Sequence, residues 1–193
     1  MSVTKEIAEF ILGLRATDIP ERTRELAKGF LLDGLGVTLA GSTEKGSLII
    51  QEHLREAGGK REASVLGTGL LLPAHMAALA NGAAGHAMDY DDTQLATSKE
   101  SVYGLLTHPT VPALSAVLPL AEAANASGRD LFVAYVVGVE VMCRIADAVS
   151  PRHYQAGFHS SGTIGTFGAA AAAAKLLRLS EDATLRALGL AGS

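Results

Sequence analysis

Apolar residues recur every three or four positions through most of this chain, the spacing that places them on one face of an α-helix. In the first such segment, about residues 4–14, the side chains of Ile7, Phe10, Ile11 and Leu14 share a face. Alanine and glycine are abundant, with 21 glycines, whereas aromatic residues make up only 5% of the chain. Small side chains let neighbouring helices approach closely. The sequence therefore predicts an all-α fold, a globular domain of several tightly packed helices.

Proline, glycine and capping residues indicate where the other helices begin and end. The expected helices cover about residues 20–41, 45–57, 73–89, 109–126 (or 112–126), 130–149 and 162–177, with a last one that begins after Ser180. Residues 63–66 are expected to form a small strand or an extended link. Residues 90–108 and 150–161 are expected to form polar loops, and the length of the first suits a segment that closes over a site.

The composition excludes several classes of protein. With 48% hydrophobic and 19% charged residues, 193 residues can form one sizeable globular domain. The net charge of −4 is mild and lysine and arginine form no run, so we expect no nucleic-acid partner. The apolar stretch at residues 131–149 contains Glu140, Arg144 and Asp147, which favours a buried helix over a membrane span. Since the first residues also lack the pattern of a signal peptide, we expect a cytoplasmic protein.

The polar residues concentrate at residues 85–93, where the sequence reads GHAMDYDDT between two alanine-rich segments. Unpaired charges are costly to bury, so this cluster needs partners, a metal or a polar ligand. His86 and Asp89 are three residues apart and would share one face of a helix. Three interpretations stay open: a capped helix end with solvated carboxylates, a divalent metal site, and a substrate site with histidine as the proton carrier. The sequence has no HExxH motif and no second acidic cluster, which argues against the metal.

Two other histidines each precede a predicted helix. His108 lies directly before Pro109, and His159 lies directly before Ser160 in a segment rich in serine and glycine. Backbone N–H groups at a helix start favour anions and an imidazole adds a proton donor, so both places suit a carboxylate. Each histidine taken alone could equally pack at a turn. Ser160 and Ser161 lack the GxSxG elbow, which argues against a serine hydrolase.

Taken in order, residues 85–93 (GHAMDYDDT), 108–110 (HPT) and 157–165 (GFHSSGTIG) resemble the MmgE/PrpD family. The family includes 2-methylcitrate dehydratase, cis-aconitate decarboxylase and iminodisuccinate epimerase, and the resemblance covers essentially the whole chain. It implies a mostly helical domain, a homodimer, and chemistry on small di- or tricarboxylates without a metal or a cofactor. Because members of the family continue into a smaller α+β domain, it also implies that residues 1–193 are the N-terminal helical domain of a longer protein.

The resemblance further implies which residues line the active site. Asp89, Thr93, His108 and His159 match positions that do so in the decarboxylase branch of the family. We expect His108 or His159 to act as the general acid or base, since histidine titrates near neutral pH. Asp89 would orient a histidine or accept a hydrogen bond from a substrate hydroxyl. Thr93 would hold a carboxylate together with the amides of a helix start.

Three more residues complete the predicted site as substrate-binding groups: His86, Asp92 and Ser160. Asp91 and Asp92 could also serve the fold or the loop, so their roles stay open at this point. Specificity for the substrate is expected to depend on residues 97–106 of the polar loop.

Dehydration, decarboxylation and epimerisation of such acids share one requirement. A proton must move to or from a carbon beside a carboxylate whose charge is held in place. We therefore expect a lyase that dehydrates or decarboxylates a small di- or tricarboxylic acid. One alternative is an isomerase that epimerises an amino- or imino-dicarboxylate. The other is a helical module that dimerises or pairs with a separate chain and has no catalysis of its own.

Overall fold

The computed structural model describes residues 2–95 and 107–193. In these two ranges the chain is mostly helical, which confirms the predicted all-α fold. The helices are α1 (Val3–Gly13), α2 (Glu21–Gly41), α3 (Lys45–Ala57), α4 (Ala74–His86), α5 (Thr110–Ala123), α6 (Gly128–Val149), α7 (Arg152–Gln155), α8 (Ser160–Leu176) and α9 (Glu181–Ala191). Two short strands, β1 (Ala63–Ser64) and β2 (Leu71–Leu72), pair antiparallel. None of the helices in the described ranges has the length and apolar character needed to cross a membrane.

Several predicted helix boundaries are confirmed. Local capping interactions determine them, which is why they could be predicted from the sequence. α3 covers the predicted residues 45–57, and Gly58 follows it with a φ of 66°, in the left-handed region that favours glycine. Ser180 caps α9 as predicted, since its side chain accepts a hydrogen bond from the N–H of Ala183. The expected strand or link at residues 63–66 contains β1.

Near the polar residues the structure differs from the prediction in three places. α4 ends at His86, closed by a tighter hydrogen bond of the i→i+3 type, so Asp89 lies beyond the helix with a φ of 55°. The prediction that these two residues share a helix face is therefore wrong. α8 begins at Ser160, two residues early, because the His159 side chain caps it. The expected loop at residues 150–161 contains the short helix α7.

Glycines let the central helices approach closely, as the composition predicts. A Cβ atom added at Gly138 of α6 would lie 2.7 Å from the carbonyl oxygen of Gly168 in α8. One added at Gly41 of α2 would lie 2.0 Å from the carbonyl oxygen of Ala84 in α4. Both distances are shorter than a van der Waals contact, so any larger residue would force these helix pairs apart.

The position of α5 brings three helix ends together. α5 packs against α4, α6 and α8, and its Leu114 and Val117 join Tyr135 of α6 in one core cluster. As a result, the N-terminal end of α5 lies beside the C-terminal end of α4 and the N-terminal end of α8. These three ends carry most of the polar residues that the sequence singles out.

Candidate functional site

A cavity of about 220 Å³ lies where the three helix ends meet. The described residues that line it are Gly82, His86, Asp91, His108, Val111, Pro112, Ser115, His159, Ser161 and Gly162. Three of the six histidines of the chain therefore face one cavity. The structure thus brings together His86, His108 and His159, which the sequence predicted as site residues.

The best-defined contact in the cavity joins His86 to Asp91. The Nδ1 atom of His86 lies 2.9 Å from one oxygen of the Asp91 carboxylate and 3.1 Å from the other. The Asp91 side chain is only 1% exposed, whereas the His86 side chain is 36% exposed. A buried carboxylate therefore holds one nitrogen of the ring, and the ring itself remains open to the cavity.

His108 is held from several sides and is only 8% exposed. Its backbone N–H donates a hydrogen bond of 2.9 Å to Ser161 Oγ, which ties it to the first turn of α8. Its Nδ1 atom lies 3.5 Å from Asp91 Oδ1, and its Nε2 atom lies 3.6 Å from Asp89 Oδ1. These distances exceed those of hydrogen bonds but allow electrostatic attraction when the ring is protonated. His108 thus lies between two carboxylates.

His159 occupies the cap position of α8. Its Nδ1 atom accepts a hydrogen bond of 3.2 Å from the backbone N–H of Gly162. The ring centroid lies 5.9 Å from that of His86, which in turn lies 4.8 Å from that of His108, and both pairs meet edge to face. The ring of His86 therefore meets the rings of both other cavity histidines.

Asp92 holds the start of α5. One of its carboxylate oxygens accepts the backbone N–H of Thr110 at 3.0 Å, and the other accepts the hydroxyl of Thr110 at 2.7 Å. The Tyr135 hydroxyl lies 2.6 Å from that of Thr110 and extends the chain of hydrogen bonds. Burial raises the pKa of Asp92, and the hydrogen bonds from Thr110 offset only part of this effect. Asp92 is not among the described residues that line the cavity, and its role in substrate binding stays a prediction.

The structure places the other predicted site residues around the cavity. Asp89 reaches His108 as described above, but its own side chain is 77% exposed. Thr93 is exposed. Ser160 is buried at the start of α8, and its hydroxyl has no hydrogen-bond partner within the described ranges. The expectation for residues 97–106 lies outside the described residues.

The cluster also contains atoms that could hold a metal. One ligand atom each from His86, Asp89, Asp91 and His108 all lie within 4.8 Å of one another. Imidazole and carboxylate together suit several divalent transition metals. The expectation of a metal-free site therefore stays a prediction that needs an experiment.

Other residues have simple roles. Arg144 and Glu140 form an ion pair on α6, as the sequence predicts. Cys143 is a poor nucleophile, since burial raises the pKa of its thiol to about 12.

Sequence reasoning missed two contributions to the site. Asp91 had no assigned role, although a carboxylate five residues after a helix-end histidine could reach back to that ring. The sequence marks Ser161 only as a small residue beside His159 and no hydrolase nucleophile, whereas its hydroxyl lies 3.2 Å from that of Thr107 and accepts the His108 N–H. No local pattern pointed to this second contact, because the residues involved are more than fifty positions apart.

Comparisons with known proteins are consistent with the resemblance read from the motifs. The model of the MmgE/PrpD N-terminal domain matches residues 5–193. Cis-aconitate decarboxylase of Homo sapiens is 33% identical over 198 residues, which cover 100% of this chain and 39% of the human protein. Cis-aconitate decarboxylase of Aspergillus terreus is 31% identical over 190 residues, which cover 98% of this chain and 38% of the fungal protein. The chain thus spans about two fifths of the length of these relatives, and it belongs to the MmgE/PrpD family.

Proposed function

We propose that this chain is the helical part of a lyase that decarboxylates cis-aconitate or a closely similar carboxylic acid. The observation that carries the proposal is the meeting of three histidine rings in one cavity between helix ends. The names of the relatives supply the reaction, since the human and the fungal proteins are cis-aconitate decarboxylases. Because the chain covers about two fifths of their length, we propose this activity for the whole protein and not for residues 1–193 alone.

The chemistry of such a decarboxylation defines what the site must do. In cis-aconitate, a CH2-bound carboxylate lies next to a carbon–carbon double bond. When the bond to the departing carbon dioxide breaks, its electron pair forms a new double bond, and the electron pair of the old double bond takes up a proton at the far carbon. The site must therefore hold the carboxylates and deliver one proton to carbon. Histidine supplies such protons, so the proposed reaction needs no metal and no cofactor.

The helix ends supply the means to hold the carboxylates. The N-terminal ends of α5 and α8 both point at the cavity, and the positive end of a helix favours an anion. His159 adds a ring nitrogen at the start of α8, and Thr93 is proposed to bind a carboxylate at the edge of the site. The negative charge of Asp91 opposes substrate binding less than a free carboxylate would, because His86 already pairs with it.

Two copies of the whole protein are proposed to form a homodimer. Leu32 of α2 and Tyr90 are 73% and 75% exposed, and they border one shallow groove with Val37 and Met88. Contiguous exposed apolar surface is typical of an interaction site. Sedimentation velocity of the full-length protein should give the mass of a dimer, and a monomer at micromolar concentration would remove this part of the proposal.

Turnover in D2O tests the proposed reaction. The full-length protein should release one equivalent of carbon dioxide from cis-aconitate and leave one deuterium on carbon in the product. Release of water from a hydroxy acid without carbon dioxide would favour a dehydratase instead. Exchange of a carbon-bound hydrogen without loss of either would favour an epimerase. No turnover and no exchange of any di- or tricarboxylate would leave a helical module without catalysis.

A further inference from the structure

We propose that His86 is the residue that carries the proton, at its Nε2 atom, that Asp91 positions it, and that His159 binds a substrate carboxylate. This inference rests on the proposed function and deepens it. It differs from the expectation drawn from the sequence, which assigned the proton to His108 or His159 and substrate binding to His86.

The contact with Asp91 leaves the Nε2 atom of His86 as the nitrogen that is available to a substrate. A carboxylate only accepts hydrogen bonds, so the Nδ1 atom, at 2.9 Å and 3.1 Å from its two oxygens, carries a proton. In the neutral ring the Nε2 atom therefore has the lone pair, and in the protonated ring it has the proton to give away. A buried carboxylate on Nδ1 also stabilises the protonated ring, as in the Asp–His pairs of hydrolases.

The position of His86 in its helix acts in the same direction. His86 is the last residue of α4, and the last carbonyl groups of a helix have no partner within it. The C-terminal end of a helix carries partial negative charge and favours a cation. A proton-donating His86 therefore lies next to two features of negative charge, the Asp91 carboxylate and the end of α4.

His159 is in the opposite situation. Its Nδ1 atom accepts the N–H of Gly162, so this nitrogen has no proton while it caps α8. A second proton on the ring would place two N–H groups face to face at the positive end of the helix. In this arrangement the ring proton of His159 is on Nε2. It can donate a hydrogen bond to a carboxylate, but transfer of that proton would leave an anionic imidazolate.

Both ring nitrogens of His108 lie close to a carboxylate. Its Nδ1 and Nε2 atoms face Asp91 and Asp89 at 3.5 Å and 3.6 Å, and the residue is 8% exposed. His86, with 36% of its side chain exposed, can instead reach both the substrate and solvent. We therefore assign the proton transfer to His86 and not to His108. The ring of His108 lies between the carboxylates of Asp89 and Asp91 and packs against His86, so it positions these neighbours.

The proton transfer balances with these groups alone. As the bond to carbon dioxide breaks, the Nε2 proton of protonated His86 moves to the substrate carbon that receives the electron pair of the old double bond. His86 is left neutral, and its Nδ1–H group still donates a hydrogen bond to Asp91. Water from the open side of the cavity then returns a proton to Nε2 before the next turnover. No oxidant, reductant or co-substrate is needed.

The test compares His86→Gln with His53→Gln, a matched change at an exposed histidine of α3, in the full-length protein. We expect His86→Gln to lower kcat for cis-aconitate by about 10²–10⁴-fold, the usual contribution of a general acid, with KM changed by less than about threefold. His53→Gln should match the wild type. If His86→Gln keeps the kcat of the wild type, the assignment fails while the proposed function stands. If the wild type does not decarboxylate cis-aconitate, the proposed function fails instead.

A second measurement on the wild type does not depend on activity or on the folding of a variant. Diethylpyrocarbonate reacts with an unprotonated imidazole nitrogen, and peptide mass mapping locates the product. At a pH high enough to remove the Nε2 proton, His86 should react first among the three cavity histidines, and cis-aconitate should protect it. Faster modification of His159 would mean that its ring, and not that of His86, presents the free lone pair, and would overturn the inference.

Discussion

The C-terminal end of α4 and the N-terminal end of α8 present the same side chain to the same cavity under opposite conditions. At the end of α4, His86 donates its Nδ1 proton to a buried carboxylate beside the negative end of a helix. At the start of α8, His159 accepts a backbone N–H at the positive end of a helix. In the proposed mechanism, the role of each histidine therefore depends on the helix end at which it lies and on the partner of its Nδ1 atom.

The largest expected effect comes from the partner of His86. Asp91→Asn keeps the size of the side chain but removes the charge. Its amide NH2 group can also donate a hydrogen bond to an unprotonated Nδ1, which would favour the tautomer of His86 with its proton on Nε2. We expect kcat for cis-aconitate to fall by about 10²–10⁴-fold, as for the equivalent change in hydrolase Asp–His pairs, with little change in KM. Steady-state kinetics of the full-length protein provide the measurement.

Asp182→Asn, at an exposed carboxylate of α9 that pairs with Arg186, is the matched control and should leave kcat unchanged. Circular dichroism should show the same helix content in both variants. An Asp91→Asn protein that folds and keeps full kcat would show that the carboxylate does not position His86. The different partners of His86 and His159 would then not explain different roles in the reaction.

The next effect concerns the cap of α8. Asparagine is among the best cap residues, so His159→Asn should preserve the cap but lose the ring nitrogen that reaches the cavity. We expect KM to rise by more than about tenfold with kcat within about tenfold of the wild type, because a carboxylate contact is lost while the proton carrier stays. His159→Ala should show the same kinetic change and lose about 1 kcal/mol of stability as well. A large loss of kcat without a change in KM in both variants would contradict the binding role.

These expectations also show how far the sequence alone could lead. The motifs GHAMDYDDT, HPT and GFHSSGTIG identify the three histidines, and helical spacing with proline and glycine signals predicts most helices to within a few residues. The end of α4 at His86 could not be predicted, since the alanine-rich pattern continues past it. The partner of each ring nitrogen depends on the turn after α4 and on the tight packing of α5 against α8. Such geometry is not visible as a spacing in the sequence.

A smaller effect concerns the start of α5, where a carboxylate and not an imidazole holds the helix end. Burial raises the pKa of Asp92 above its ordinary value, so the folded protein binds this proton more tightly than the unfolded chain does. The contribution of Asp92 to stability is therefore largest below the unfolded pKa and falls as the pH rises from there through the higher folded pKa. Asp92→Asn should lack this part of the pH dependence. Urea unfolding at several pH values from about 3.5 to 7 measures the difference. If the stability of the wild type relative to Asp92→Asn rose over this range, the sign would be wrong.

The smallest expected effect is that of a chelator. His86, Asp89, Asp91 and His108 could hold a metal, but the direct contact between His86 and Asp91 explains their arrangement without one. Dialysis of the full-length protein against EDTA should therefore leave the decarboxylation rate within about twofold of its starting value. Loss of activity that zinc, iron or manganese restores would instead make this cluster a metal centre, and His86 would be a ligand.

The most direct test of the central claim is long-range ¹H–¹⁵N NMR of the full-length protein labelled at histidine, with His86→Gln and His159→Asn used to assign the signals. We expect the Nδ1 atom of His86 to carry a proton, which it donates to Asp91. We expect the Nδ1 atom of His159 to carry none, because it accepts the N–H of Gly162. A proton on Nδ1 of both rings, or on Nδ1 of neither, would contradict this difference.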